Sequence, residues 1–300
     1  MPGGYESWFV SARDPASRRA LWIRHTRLQP SAGPESAALW CMLADPDLGP
    51  EPVVVKQVFG TLPATAVAGP ARFRGTASMA GQQTRWDLAI TDGQPELRPL
   101  QPAMLYRAPL PRTKVVASVP DGLVSGVIEA AGHRLEVDQW RGTVGHNWGR
   151  EHADRWVWLH VGFGAAGTDW LELVLARIKV GRVRLPWTAM GAISLGGERI
   201  RLGGLGRRVL VRAAPGQLTA SIPAPGGRLH LRVSSHEDDA VGVVYVDPPG
   251  GTRLVRHAGL ATVNLRIGRR GVAIRGIRGA YEYGTSEDWP GITPRSLPEG

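Results

Sequence analysis

The chain has 300 residues, of which 43% are apolar and 21% charged, and this composition argues against a disordered protein. Its 39 glycines and 24 prolines favour short strands joined by turns over long helices. The 36 basic and 26 acidic residues give a net charge of +10. No DNA- or RNA-binding motif accompanies that charge, so we expect an arginine-rich surface and no nucleic-acid partner.

The cysteine content and the start of the chain bear on its compartment. Cys41 is the only cysteine, so the chain has no internal disulfide and a reducing compartment is allowed. The first residues lack the basic start and apolar stretch of a secretory signal. No run of 18 apolar residues occurs, which excludes a membrane-spanning helix. We therefore expect a cytoplasmic protein.

The predicted elements of the first part of the chain are short strands in which apolar and polar residues alternate. They are Tyr5–Val10, Ala20–Leu28, Ala38–Leu43, Val53–Phe59 and Trp86–Ile90. Polar turns separate these strands. Such a series predicts an antiparallel meander that closes on itself and so hides its edges.

A proline-rich segment, residues 97–112, interrupts the strand pattern with Pro99, Pro102, Pro109 and Pro111. Proline lacks the N–H that a central strand donates, so we interpret this segment as a link between two domains, 1–112 and 113–300. The second domain is predicted to contain strands at Lys114–Val119, Gly122–Ala130, His133–Val137, Trp156–Phe163, Trp170–Ile178, Arg207–Ala213, Arg228–Val233, Val241–Val246, Ala261–Ile267 and Gly271–Ile277. No helix is predicted.

The segment from Trp140 to His160 contains three of the eight histidines and four of the eleven tryptophans. In a strand, alternation places Trp156, Trp158 and His160 on one face. Indole rings provide apolar area and an imidazole provides one polar group for orientation or proton transfer. The segment therefore predicts the wall of a ligand cavity.

We assign candidate roles within and near this segment. His146 and His160 are predicted acid–base groups, and Asn147 is a predicted hydrogen-bond donor to a carbonyl or oxyanion. Predicted ligand-binding residues are Trp86, Trp140, Trp148, His152, Trp156 and Trp158. Two structural alternatives stay open: His146 and Asn147 cap a turn that fixes the contact between barrels, and Trp86 fills a barrel core.

A metal site is the alternative use of the histidines. His146, His152 and His160 are residue types that bind zinc or iron. Their spacings of six and eight residues match no local zinc motif, so we expect no metal. A serine hydrolase is also disfavoured, because the sequence has no Gly-x-Ser-x-Gly elbow.

Four segments carry a family resemblance: Tyr5–Phe9, Trp22–Arg24, Trp86–Leu88 and the Gly-His-Asn-Trp-Gly run at 145–149. They resemble the lipocalin-like superfamily of the carotenoid hydratases, the AttH-type proteins and lipocalin-like natural-product cyclases. The resemblance spans nearly the whole chain in order and strand spacing. It implies an all-β fold of two tandem lipocalin-like (calycin) antiparallel β-barrels, with an apolar ligand near their junction and no metal or organic cofactor.

One departure from the family pattern concerns the chemistry. The hydratase-like members resemble Trp-x-Asp-(His/Arg)-Glu-Trp in this segment, where the carboxylates are proton donors. With Trp148 aligned to the last Trp, Gly145 stands at the Asp position and Asn147 at the Glu position. The motif of this chain therefore lacks the carboxylate pair, and hydratase activity does not carry over directly.

The sequence thus predicts a protein that holds a hydrophobic, isoprenoid- or polyketide-like molecule in a barrel cavity. If it is an enzyme, cyclisation, isomerisation or hydration would need only shape and acid–base help. The alternative is a non-catalytic carrier of lipids or other hydrophobes whose arginine-rich surface contacts anionic membranes peripherally. A purely structural protein is expected only if side chains fill both barrels.

Overall fold

The computed structural model describes residues 3–164, 168–268 and 271–298. The first barrel is a nine-stranded antiparallel sheet in the order β4-β3-β2-β1-β9-β8-β7-β6-β5. Its strands are β1 (Gly4–Arg13), β2 (Ala20–Gln29), β3 (Ser36–Ala44), β4 (Val53–Phe59), β5 (Val67–Ala68), β6 (Arg72–Met79), β7 (Gln82–Thr91), β8 (Thr113–Ala130) and β9 (His133–Gly149). A short 3-10 helix, Ala103–Tyr106, lies between β7 and β8.

The second barrel is formed by the rest of the chain, in the order β15-β14-β11-β10-β21-β20-β18-β17-β16, with β19 paired to β20 beside this path. Its strands are β10 (Arg155–Phe163), β11 (Asp169–Arg177), β14 (Thr188–Leu195), β15 (Glu198–Gly203), β16 (Leu210–Ala214), β17 (Gln217–Ala224), β18 (Gly227–Ser234), β19 (Ala240–Val246), β20 (Thr252–Ile267) and β21 (Val272–Thr285). A separate small hairpin joins β12 (Lys179–Val180) to β13 (Val183–Arg184).

The two barrels repeat one topology. In each, the first strand pairs with the second and also with the last, as β1 does with β2 and β9, and β10 with β11 and β21. Each sheet then curls until its outer strands approach, β4 against β6 and β15 against β17. At the first of these seams Gln57 accepts a hydrogen bond of 2.7 Å from the backbone N–H of Ser78. The predicted all-β fold of two antiparallel barrels is confirmed.

Alternation along each strand divides the side chains between an interior and an exterior face. The interior of the first barrel is packed with apolar side chains such as Val10, Ile23, Leu39 and Trp86, and the second barrel has its own apolar core. The exterior faces of β1–β4 and β10, β19 and β20 pack against each other. Their shared cluster consists of Trp22, Ala38, Trp40, Met42, Val54, Trp156, Val241, Val243, Tyr245 and Val255.

The boundary between the halves differs from the prediction at residue 112. β8 and β9 pair with each other and with strands of the first sheet, so the first barrel extends to Gly149. The proline-rich segment 97–112 is therefore a connection within the first barrel, between β7 and β8. Proline does exclude it from the sheet, as expected, but the pairing of β9 with β1 is a long-range contact that local sequence does not reveal.

The described residues contain no helix that is long and apolar enough to cross a membrane.

Candidate active site at the junction of the barrels

A cavity of about 450 Å³ lies where the exterior faces of the two barrels meet, within the size range of small-molecule sites. Trp156 and Trp158 of β10 form one wall. Phe9 of β1 faces them, its ring 5.1 Å from that of Trp158 in an edge-to-face arrangement. Other apolar lining residues are Leu100, Leu110, Val115, Val174, Ile178 and Met190. This junction cavity lies between the barrels, where the family resemblance implied an apolar ligand, and not inside one barrel as the predicted barrel cavity would be.

Two glycines make room for the aromatic walls. A Cβ atom on Gly145 would overlap the ring of Phe9, and one on Gly284 would overlap the indole of Trp156. Gly145 is the residue at the Asp position of the hydratase pattern. The structure therefore gives a physical reason for this departure, because the Phe9 ring occupies the space that a side chain at 145 would need.

Glu172 of β11 is a buried carboxyl group that lines the junction cavity. Trp158 donates its indole N–H to Glu172 Oε1 at 2.6 Å. Glu172 Oε2 is buried and has no hydrogen-bond partner among the described residues. Burial raises the pKa of Glu172 to about 8, although the Trp158 N–H and the Thr143 hydroxyl oppose the shift. The group is therefore protonated at neutral pH, and since Oε1 accepts from Trp158, the proton belongs on Oε2.

Glu282 of β21 is another buried carboxyl group at the cavity, and its environment moves its pKa in the opposite direction. Burial alone would raise its pKa, but the nearby His257, the Trp156 N–H and Arg24 outweigh burial and lower it. Trp156 donates to Oε1 at 2.9 Å and the Tyr245 hydroxyl donates to Oε2 at 3.0 Å. Two carboxyl groups with pKa values moved in opposite directions are typical of acid–base sites.

His152 contributes an oriented imidazole. Its Nδ1 lies 2.6 Å from Asp247 Oδ1, and its ring stacks on Tyr5 at 4.1 Å and on Trp156 at 5.5 Å. Burial lowers the pKa of His152, and the bond to Asp247 only partly offsets this. A neutral ring that donates Nδ1–H to Asp247 leaves Nε2 as a lone-pair acceptor. Among the described residues, Nε2 is buried and has no hydrogen-bond partner. It is therefore available to accept a proton from a bound molecule.

The structure brings five of the predicted site residues to the junction cavity: His146, Asn147, His152, Trp156 and Trp158. Asn147 has a buried Oδ1 with no partner in the described part of the chain. His146 lies at the margin, with Nε2 3.0 Å from Glu6 Oε1 and its ring stacked on Trp8 and Trp148. Because Glu6 already engages this nitrogen, His146 is a poorer acid–base candidate than His152.

Four predicted site residues lie elsewhere. Trp86 and Trp140 are in the core of the first barrel, since their alternation places them on its interior face. Trp148 lines a wider cleft at one end of the first barrel and stacks on Tyr106 there. His160 is buried beside Asp121, with Nε2 3.8 Å from Oδ1, and is absent from the cavity lining.

The sequence-based assignment missed Glu172, Glu282, Asp247, Tyr245 and Arg24. For the four that lie in strands, the signal was a lone polar residue on an otherwise apolar strand face, as for Glu172 between Trp170 and Val174. That signal does not tell which barrel face is buried at a junction. No cluster of three or more candidate metal ligands occurs among the described residues.

Comparisons with known proteins place the fold. No family model matches the chain. It is 29% identical over 308 residues to uncharacterized proteins of Mycobacterium tuberculosis strains CDC 1551 and H37Rv, covering 96% of this chain and 91% of theirs. The curated relatives thus extend over the same length but carry no assigned activity.

Two crystal structures share the architecture. One is an AttH candidate from Nitrosomonas europaea, with a TM-score of 0.52 and 15% identity over 94% of this chain and 92% of that one. The other is kievitone hydratase from Nectria haematococca, with a TM-score of 0.52 and 12% identity over 95% of this chain and 89% of that one. The chain therefore has the lipocalin-like fold of these proteins, and the predicted resemblance to the AttH-type superfamily is confirmed at the level of the fold.

Proposed function

We propose that the protein is a cofactor-independent acid–base enzyme that adds water to, or removes it from, a carbon–carbon double bond of an apolar molecule held in the junction cavity. The observation that carries the proposal is Glu172, a buried carboxyl group that is protonated at neutral pH and lines an apolar cavity. A buried acid of this kind is suited to protonate a weakly basic carbon.

In the hydration direction, each proton that the site donates is later recovered. Glu172 Oε2–H transfers its proton to one alkene carbon, and the neighbouring carbon becomes a cation. A water molecule adds its oxygen to that carbon while His152 Nε2 takes one of its protons. The proton on His152 then returns to Glu172 through solvent, so the net change is the addition of one water and the site is restored.

The aromatic wall supports this chemistry. Trp158 binds Glu172 through its indole N–H and packs against the Phe9 ring in the same cavity, and the faces of aromatic rings stabilise a nearby cation. Glu282 and Asp247 are ionised and each accepts bonds from its neighbours, so they add negative potential without needing a proton. The carboxyl group that the Trp-rich motif lacks is thus supplied from a different strand, β11.

The fold relatives are consistent with the proposal. One of the two proteins of the same fold is named a hydratase, and a hydratase adds water to a double bond. At 12% identity this likeness alone transfers no substrate, so the proposal depends on the site residues.

The test uses the apolar metabolite extract of the source organism. The extract is incubated with the wild type in heavy-oxygen water and analysed by mass spectrometry for pairs of compounds that differ by one water. We expect the wild type to convert one member into the other with incorporation of the heavy oxygen. Glu172→Gln keeps an acceptor for Trp158 but has no acidic proton, so turnover should fall by about 100-fold or more.

The matched control is Glu136→Gln, which changes an exposed glutamate of β9 and should leave turnover unchanged. Equal turnover by Glu172→Gln and the wild type would contradict the acid role. If compounds from the extract bind tightly and none is converted, the protein is instead the non-catalytic carrier of hydrophobes that the sequence also allows.

A further inference from the structure

Arg24 of β2 places a buried guanidinium at the junction cavity. It is 5% exposed and belongs to the cavity lining. Its Nε donates to Ser7 Oγ at 2.6 Å, and its Cζ lies 3.9 Å from the centre of the Tyr245 ring. Its Nη1 is buried and has no hydrogen-bond partner within the described ranges.

The carboxylates around Arg24 are already occupied. Glu282 accepts from Trp156 and Tyr245, and Asp247 binds His152 and Arg253, with Arg253 Nη2 2.8 Å from its Oδ2. The third, Glu151, is 3.1 Å from Arg253 and also paired with Arg112. None of the ion pairs formed by the described residues includes Arg24.

Burial of Arg24 without an ion-pair partner lowers the stability of the folded protein. Burial of a charge without an ion-pair partner is unfavourable, and the cation–π contact with Tyr245 offsets only part of this desolvation penalty. The Arg24 charge lowers the pKa of Glu282, but the guanidinium donates its Nε hydrogen bond to the Ser7 hydroxyl, and Nη1 has no acceptor within the described residues. An anion that enters the cavity and accepts from Nη1 would supply both the missing hydrogen bond and an ion-pair partner.

We infer that the ligand of the junction cavity is an apolar acid: an unsaturated hydrophobic body that carries one ionised carboxylate, held by Arg24 Nη1. This inference rests on the proposal that the junction cavity is the substrate site, but it does not require turnover. It narrows the ligand from hydrophobic molecules in general to apolar acids. A pure hydrocarbon would leave Arg24 Nη1 without a hydrogen-bond acceptor.

The positions of the polar groups fit a ligand with two different ends. Arg24 and Tyr245 lie near Trp156, whereas the acid Glu172 is bonded to Trp158. Trp156 and Trp158 are two residues apart on β10, a separation of about 6.6 Å along the strand. A carboxylate at the Arg24 end therefore leaves the hydrophobic body to extend past Phe9 towards Glu172.

The experiment measures binding of a fluorescent pair, cis-parinaric acid and its methyl ester, which share one polyunsaturated chain and differ in charge. We expect the wild type to bind the acid at least about tenfold more tightly than the ester, since a charge-assisted hydrogen bond contributes at least that factor. In Arg24→Gln the preference should disappear, with the affinity for the ester unchanged. In Arg24→Lys, which keeps the charge, part of the preference should remain.

Two controls locate the effect. Arg27→Gln alters a second arginine of β2, exposed and stacked over Trp8, and should keep the preference for the acid. Val174→Trp fills the cavity and should weaken binding of both probes. Unchanged ester binding by Arg24→Gln also shows that the variant is folded.

The inference is overturned if the wild type binds acid and ester equally or binds neither, if Arg24→Gln keeps the preference, or if Val174→Trp leaves binding unchanged. None of these outcomes depends on Glu172. A protein that prefers the acid but converts no compound would refute the proposed enzyme and support the apolar-acid site.

Discussion

At the scale of single residues, Phe9 and Gly145 lie opposite each other on neighbouring strands. They are directly paired between β1 and β9, and the Phe9 ring covers the position where a side chain of residue 145 would stand. The Phe9 ring in the cavity wall and a side chain at position 145 therefore exclude each other. The local motif shows the glycine, but it does not show that the Phe9 ring packs against it, because Phe9 lies in a strand more than a hundred residues away.

Gly145→Asp, which restores the family residue, should therefore fail to add a useful acid. We expect the substitution to destabilise the fold by about 1–3 kcal/mol through overpacking, with further cost if the new carboxylate is charged. In the double variant Phe9→Ala/Gly145→Asp the overlap is absent. Urea unfolding of both single variants and the double variant should show a favourable coupling of about 1 kcal/mol or more; additive effects would contradict the overlap.

His25 gives the first barrel a pH-dependent stability. It is fully buried, packs against Phe73 and Trp86, and burial lowers its pKa to about 4. The folded form holds the neutral ring while the unfolded chain takes up a proton near pH 6.5. Stability is therefore lost as the pH falls from about 6.5 towards 4.

Replacement of His25 by leucine should remove this loss. The quantity to compare is the free energy of unfolding of His25→Leu minus that of the wild type. We expect this difference to be about 2–3 kcal/mol more favourable to the variant at pH 4.5 than at pH 7. Denaturant unfolding at the two pH values measures the difference. His133→Leu is the control, because His133 is exposed at the start of β9; an equal gain there would contradict the assignment to His25.

At the scale of elements, the connection 97–112 closes one side of the junction cavity. Its Pro99, Leu100, Leu110 and Pro111 line the cavity. One lysine holds the connection: the ammonium of Lys114 donates to the carbonyl oxygens of Leu105, Ala108 and Pro111 at 2.6, 2.8 and 2.6 Å. Three charge-assisted bonds on one group fix a segment that has little regular structure of its own.

Lys114→Met should therefore loosen this connection and leave the barrels folded. We expect the free energy of local opening of residues 98–110 to fall by about 2 kcal/mol or more, seen as faster hydrogen exchange of their backbone amides. The β6–β7 hairpin, which Lys114 does not contact, should exchange as in the wild type. Equal protection of residues 98–110 in both proteins would show that other contacts hold the connection.

The elements also show what the sequence could predict. Alternation located β2, β10 and β11 well, because each has one apolar face towards a barrel core. It missed β6, β14, β15 and β17, which begin or end at glycines or contain small residues that blur the pattern. Part of the site could be predicted, because Trp156, Trp158 and His152 are close in sequence. The other part could not, because pairings between distant strands bring Glu172, Arg24 and Tyr245 to the cavity.

At the scale of the whole molecule, the arginine of a buried ion pair in the first barrel also binds the second barrel. Arg141 of β9 binds Asp121 with Nε at 3.0 Å and Nη2 at 2.8 Å, and both side chains are at most 10% exposed. The same guanidinium donates from Nη1 to the carbonyl of Phe163 in β10 at 2.7 Å. A side chain of the first barrel thus satisfies a backbone group of the second.

For this reason, Arg141→Met should strongly destabilise the protein. It leaves Asp121 buried without its cation and Phe163 without a donor, so we expect a loss of about 3–5 kcal/mol in the free energy of unfolding. The matched control is Arg72→Met, since Arg72 and Asp87 form a similar two-bond pair at 2.8 and 2.6 Å that is about half exposed. Exposed pairs contribute about 1 kcal/mol or less, so the control should be nearly neutral in urea unfolding. Similar losses in both variants would mean that burial does not make the Arg141–Asp121 pair more important to stability than an exposed pair.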